Sequence, residues 1–211
     1  QSVCVEDYLA IRPSRASALR RHIAEGRILV GPWYVQNDFY LASGEATVRN
    51  LLIGRRMARE YGACSQAGYA PDQFGNISQL PQILRGFGID NFIFGRGYKF
   101  RRSDDKPRQF EPRPTEFLWR SREGSEVLAI HLCYWYNNAQ RFPEDLDVSM
   151  TLLRNMETQF EGRAQTPYLL LMNGVDHLEA QENLLPILDG LNRRLEGGRE
   201  IRQVTLDSYV E

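Results

Sequence analysis

Cysteine and histidine are both scarce in this 211-residue chain, with three of each. Cys4, Cys64 and Cys133 are odd in number and far apart, which excludes a self-contained disulfide framework and a clustered cysteine metal site. Reduced, buried thiols are the expectation. An excess of charge is also missing, since 26 Lys and Arg face 27 Asp and Glu, and no stretch gathers basic residues into a stripe. Without such a stripe a phosphate backbone has nothing to follow, so nucleic acid is not an expected partner. No apolar run is long enough to span a bilayer, and Gln1 to Asp7 lack the charged-then-apolar pattern of a leader. A soluble, cytoplasmic protein without a membrane partner is expected. Internal repeats and low-complexity tracts are absent as well. What is present is 42% hydrophobic residues, enough for a real core, and one domain is the simplest count. The chain opens on Gln1 rather than Met and reads as a piece of something longer.

Helical periodicity is clearest after Ser43, predicted to cap a segment with Val48, Leu51, Leu52, Ala58 and Tyr61 on one face and Gly62 at its end. Ala16, Leu19 and Ile23 predict a helix stopping at Gly26. Leu152, Leu153, Met156 and Phe160 predict another behind a Ser149 cap, and Leu184, Leu188, Leu191 and Leu195 a third ending near Gly197. Between them lie continuous apolar runs, Ile28 to Val30, Gln66 to Tyr69, Asn91 to Phe94, Val127 to Cys133 and Tyr168 to Met172. Continuous rather than alternating, they read as strands covered on both faces. The order is mostly strand then helix, which predicts an α/β fold with a parallel sheet, either open or closed into a barrel. Arg101 to Arg113, with Pro107 and Pro112, reads as a surface excursion.

Ligands of parallel α/β folds sit beyond the carboxyl ends of the strands, which singles out Asp38, Asp72, Arg96, Asn137, Asn138, Asn173, Asp176 and His177. Each has a plainer reading. Asp72, between Pro71 and Gly75, could cap a helix starting near Ser78, and Arg96 could be a solvated arginine. His177 is the best placed of the histidines, since His22 falls on a charged helix and His131 alternates within a strand. Trp33, Tyr34, Phe74, Trp135 and Tyr136 could stack on sugar rings, yet many aromatics are simply core. Asn76-Ile77-Ser78 fits the glycosylation acceptor pattern by coincidence.

Taken together and in order, several strings resemble the catalytic domain of glycoside hydrolase family 38 α-mannosidases, in particular its prokaryotic branch. They are Gly31-Pro32-Trp33-Tyr34, Ser43-Gly44-Glu45, Arg49-Asn50-Leu51-Leu52 and Gly68-Tyr69-Ala70-Pro71-Asp72-Gln73-Phe74-Gly75. Leu80 to Leu84, Gly86 to Ile89, Phe94-Gly95-Arg96 and Asn173-Gly174-Val175-Asp176-His177 complete the set. The resemblance implies a parallel-strand (β/α) barrel-like catalytic domain, seven-stranded and incomplete at its N-terminus. It further implies a zinc-dependent retaining enzyme acting on terminal α-mannosides or oligosaccharides, with Asp72 as nucleophile and zinc ligand and His177 as a second ligand. Phe74 and Arg96 fall in the implied sugar pocket, and Trp33 is a third candidate for it. Two further zinc ligands are implied by a His-x-Asp motif that these 211 residues do not contain, so they are expected upstream.

Retention requires one carboxylate to attack the anomeric carbon and a second to protonate the leaving oxygen. Zinc would hold the adjacent 2- and 3-oxygens that mannose, with its axial 2-hydroxyl, presents as a chelating pair. Where many members carry an aspartate acid/base this chain has Asn137 and Asn138, leaving Asp38, Asp145 and Asp176 as candidates. A hydrolase of another mannosyl conjugate and an inactive carbohydrate-binding remnant are the alternatives; a homo-oligomer is one option for the assembly.

Overall fold

The computed structural model describes residues 1–98, 113–174 and 176–211, and its sheet is built around the wholly buried run Asn91–Phe94, here β2. β2 pairs in parallel with Tyr69–Ala70 (β1), Tyr69 opposite Ile93 and Ala70 opposite Phe94. Asn91 extends this pairing with its side chain, accepting the Gly68 N–H at 2.8 Å and donating to the Gln66 carbonyl at 3.0 Å. Glu116–Arg120 (β3) and Glu126–His131 (β4) complete a four-stranded sheet of order β1-β2-β4-β3. Backbone bonds Ser121 N to Ser125 O and His131 N to Thr115 O join β3 and β4 as an antiparallel hairpin.

The sheet is therefore mixed, not wholly parallel as expected, and seven strands are not seen among the described residues. Two of the apolar runs form no strand. Of the run Ile28 to Val30 only Val30 is buried, and its backbone bonds go to two different segments, Ile28 N to His22 O and Ser65 N to Val30 O, rather than along one neighbouring strand. Along Tyr168 to Met172 the Asn138 side chain stands where a neighbouring strand would, donating to the Leu170 carbonyl and accepting the Met172 N–H. β3 carries only a short apolar run, Phe117 to Trp119, flanked by Glu116 and Arg120, which is too little pattern to predict a strand. Of the Arg101 to Arg113 excursion, all but Arg113 lies outside the described residues.

The helices are Val3–Ile11 (α1), Ala16–Ala24 (α2), Gly44–Tyr61 (α3), Leu80–Gly86 (α4), Leu146–Phe160 (α5), Leu184–Asn192 (α6) and Leu206–Val210 (α7). α3 starts where the pattern predicts, with the Ser43 hydroxyl accepting the Ala46 N–H at 3.1 Å, and stops at Gly62, whose φ of 144° no other residue adopts easily. For α5 the expected cap is wrong. Asp145 takes the N–H groups of Asp147 and Val148 at 2.8 and 3.2 Å, while Ser149 is buried in the first turn and donates to the Pro143 carbonyl. Asp145 thus has a structural use as a helix cap rather than a place at a strand end.

The described residues fall into two compact units, one drawn from Gln1–Lys99, Phe117–Ile130 and Thr205–Glu211, the other from Phe100–Glu116 and His131–Val204. The first packs Trp33, Phe39, Leu51, Leu84, Phe92 and Phe94 between α3, α4 and the sheet. The second packs Phe142, Met150, Met156, Leu188 and Leu191 between α5 and α6. No helix among the described residues is long and apolar enough to cross a membrane.

Two contacts in the first unit carry measurable stability. Gly54 of α3 lies against the backbone of Pro32, Trp33 and Tyr34, and a Cβ there would overlap all three. Gly54→Ala is expected to destabilise by about 1–3 kcal/mol, overpacking outweighing the ~1 kcal/mol gain in helix propensity. An unchanged or higher unfolding midpoint in urea would contradict the close approach. The chain end is held by Asp207, one oxygen of which accepts from the Ser65 hydroxyl at 2.7 Å and from the Gln66 and Ala67 N–H groups at 3.0 and 2.9 Å. Asp207→Ala is expected to cost about 1–3 kcal/mol, since these donors lose their acceptor just before β1. Hydrogen exchange checks it, because the Gln66 and Ala67 amides should lose protection first.

Candidate active site

Parallel strands paired with a fixed offset bring equivalent positions beyond their ends to the same level. Ala70 faces Phe94, and the offset of 24 (94 − 70) continues past the strands: Gly95 N donates to Pro71 O at 2.9 Å, and Arg96 meets Asp72 (96 − 72 = 24). The Arg96 Nε–H donates to Asp72 Oδ1 in a close ion pair. Both side chains are half-exposed, at 38% for Arg96 and 39% for Asp72, so the pair opens to solvent and is worth at most about 1 kcal/mol to folding. A contact so cheap in stability leaves the carboxylate available for chemistry.

Phe74 completes the cluster, its ring 60% exposed and 4.6 Å beneath the Arg96 guanidinium carbon. The Asn76 amide donates to the Arg96 carbonyl at 2.8 Å, and Asp38 Oδ1 accepts the Phe74 N–H at 3.0 Å. Asp72 does not cap the following helix: α4 begins behind Gln79, which makes no side-chain cap bond. Of the strand-end residues, Asp38, Asp72, Phe74 and Arg96 are therefore brought together. An oriented carboxylate, a guanidinium and an exposed aromatic face can hold a sugar ring and present an oxygen to it.

Trp33 is not part of this surface. It is 2% exposed and packs against Phe39 with ring centroids 5.5 Å apart, so it offers no face to a ligand. The segment that follows it is held by a residue to which the sequence assigned no role, Asn50 of α3. Its carbonyl oxygen accepts the Tyr34 and Val35 N–H groups at 2.8 and 3.1 Å, and its amide donates to Val35 O and Asn37 Oδ1 at 2.7 and 2.6 Å. A buried Asn following the Ser43 cap signal, on the α3 face that bears Leu51, was the available clue.

In the second unit, side-chain amides stitch the segments after β4 and before α6. Asn138 binds Leu170 O and Met172 N, Asn173 donates to Ala139 O at 3.0 Å, and Gln181 donates to Phe142 O at 2.7 Å. Asn137 and Asn138 thus have structural partners, Asn137 donating to Gln140 at 3.0 Å. Asp176 accepts the Tyr136 hydroxyl at 2.9 Å, and Val175 beside it lies outside the described residues. His177 is exposed, with φ of +64°, a left-handed conformation that costs a non-glycine residue.

Asp72 in the first unit offers a hard oxygen and His177 in the second an imidazole, each a donor that suits zinc in kind. Among the described residues no three His, Cys, Asp or Glu side chains gather as a metal site. The cysteines do not supply it. All three are free, Cys4 is exposed rather than buried as expected, and burial pushes the Cys64 and Cys133 thiols above their ordinary pKa, away from the thiolate that binds metal.

Residues 1–211 match the family model described as the glycosyl hydrolases family 38 N-terminal domain. A protein of Halalkalibacterium halodurans, provisionally named a mannosylglycerate hydrolase, is 39% identical over 87% of the chain and 21% of its own length. Alpha-mannosidase G of Dictyostelium discoideum is 29% identical over 77% of the chain and 14% of its own length. The crystal structure of an alpha-mannosidase from Enterococcus faecalis superposes with a TM-score of 0.88 at 30% identity, covering 99% of the chain and 23% of that structure. The chain thus spans about a fifth or less of the curated relatives it matches.

Proposed function

The chain belongs to glycosyl hydrolase family 38, and from that membership we infer that the protein carrying it is a zinc-dependent, retaining α-mannosidase. The observation that carries this reading is the half-exposed Asp72 carboxylate, held by Arg96 at the mouth of two parallel strands beside the open face of Phe74. In this reading Asp72 attacks the anomeric carbon as its bond to the leaving oxygen breaks, forming a glycosyl-enzyme that water then hydrolyses. Arg96 fixes the direction of the carboxylate, and Phe74 stacks on the sugar and excludes water from one side. Asp72 and His177 would be two of the zinc ligands, the others lying outside these 211 residues. When bound, the metal supplies Lewis-acid stabilisation of the sugar hydroxyls as the ring flattens.

Hydrolysis of an aryl α-mannoside by the full-length protein, followed by NMR of the first-formed anomer, tests the reading. Retention with stoichiometric zinc is expected; net inversion would exclude a covalent nucleophile, and no turnover of any α-mannoside would sink the assignment. A mannosyl conjugate with a small acidic aglycone is the second substrate reading, favoured by the 39% identity to the Halalkalibacterium protein. Comparing kcat/KM for α-mannosylglycerate and for an α-linked mannobiose separates the two.

A further inference from the structure

We propose that Asp38 is a positioning residue for the Asp72 loop, acting through the Phe74 amide, and not the acid/base of the reaction. The inference rests on the functional reading above.

Asp38 starts a turn in which its own carbonyl accepts the Leu41 and Ala42 N–H groups at 3.2 and 3.0 Å, which leaves its side chain directed out of that turn. Its Oδ1 crosses to the next loop and takes the Phe74 N–H at 3.0 Å. That amide lies two residues beyond Asp72, inside the turn from Pro71 to Gly75, so fixing it fixes the peptide planes that aim both the carboxylate and the Phe74 ring.

Asp38 does not act alone. Gln73, 6% exposed, donates to Gln36 Oε1 at 2.9 Å, and Gln36 donates in turn to the Tyr69 carbonyl at 3.3 Å. The Tyr40 ring lies directly on Gly75, whose φ is +75° and whose missing Cβ makes room for it. The 34–37 segment is itself anchored to α3 by the four bonds of Asn50. A connected path therefore runs from α3 through Asn50 to residues 36–40, and from there to the residues flanking Asp72. Within it Asp38 provides the one carboxylate acceptor, and such charge-assisted bonds to N–H groups are the strong ones.

What an acceptor does and what a proton donor does are separable. Asn keeps the acceptor oxygen and cannot ionise; Ala removes both. In the full-length protein, Asp38→Asn should retain kcat within about 3-fold on both an activated dinitrophenyl α-mannoside and methyl α-mannoside, with the alkaline limb of the pH profile unmoved. Asp38→Ala should lower kcat roughly 10- to 100-fold on both substrates alike, with KM changed less, because a loosened carboxylate is misaligned for attack. Labelling of Asp72 by a 5-fluoro mannosyl fluoride should slow in parallel. Should Asp38→Ala not accumulate as folded protein, the Asn variant decides the question on its own.

An Asn variant that keeps the activated substrate but loses the methyl glycoside, with its alkaline limb abolished, would make Asp38 the acid/base and overturn the proposal. A fully active Asp38→Ala would overturn it too. Wild-type protein that hydrolyses no α-mannoside would bring down the functional reading and this role together, a result distinct from either.

Discussion

Replacing Asp72 with Asn or Ala in the full-length protein is expected to lower turnover by roughly three orders of magnitude or more, on activated aryl mannosides as well as on poor substrates. The expectation follows from where the carboxylate stands. Asp72 leaves the end of β1 at the level where Arg96 leaves β2, and the ion pair between them holds its direction without burying it. A nucleophile needs that combination, since an anionic oxygen must be aimed yet reachable. An acid/base variant behaves differently, because substrates with excellent leaving groups need no proton and survive its loss. A 2-deoxy-2-fluoro or 5-fluoro mannosyl fluoride should label a single peptide, the one containing Tyr69 to Asn76. Mass spectrometry of the digest decides it, and a label on any other carboxylate would falsify the assignment.

His177 should show activity and stability moving in opposite directions. With φ of +64° it occupies a conformation that glycine adopts freely, so His177→Gly relieves backbone strain and is expected to leave the protein as stable as before or up to about 1 kcal/mol more so. Such strain persists in folded proteins where function needs the side chain. The same substitution removes an imidazole proposed to bind zinc, so the bound zinc should fall well below one per chain and kcat/KM by about 100-fold or more. Elemental analysis after dialysis gives the zinc half, and a thermal melt of both proteins stripped of metal by chelator gives the stability half, since bound zinc would itself raise the midpoint. Unchanged stoichiometric zinc would take His177 out of the coordination sphere, and a fall in stability would show that its conformation is not strained.

Features set by short stretches of chain are legible in the sequence. The Ser43 cap and the Gly62 stop are local hydrogen-bonding and backbone rules, and α3 obeys them; of the face predicted between them, Leu51 and Ala58 are buried while Leu52 is exposed, because Asn50, Gly54 and Arg55 share the buried side. β2 is equally plain, since four consecutive buried residues leave few other options. The same holds for the site loop: Pro71 and Gly75 force a turn around Asp72, and Arg96 follows a strand with a glycine on either side. Misreadings arise where one side chain answers to a partner far along the chain or within the core. Asp145 rather than Ser149 caps α5 because Ser149 is drawn into the core and onto the Pro143 carbonyl. Tyr168 to Met172 resembles a strand, yet the Leu170 carbonyl and the Met172 N–H are taken by the side chain of Asn138, more than thirty residues away.

The sequence by itself determined which residues could do chemistry, because residue type and order along the chain depend on nothing else: Asp72, Phe74, Arg96 and His177 all stand out in it. Tertiary structure alone decided what each does beside its neighbours. It withdrew Trp33 into the core beside Phe39, and it set Asp72 against Arg96 through a strand register that no local pattern encodes. It also turned Asp38 toward the Phe74 amide. Register and long-range side-chain bonds are fixed by the mutual fit of segments distant in sequence, so they exist only once those segments have packed.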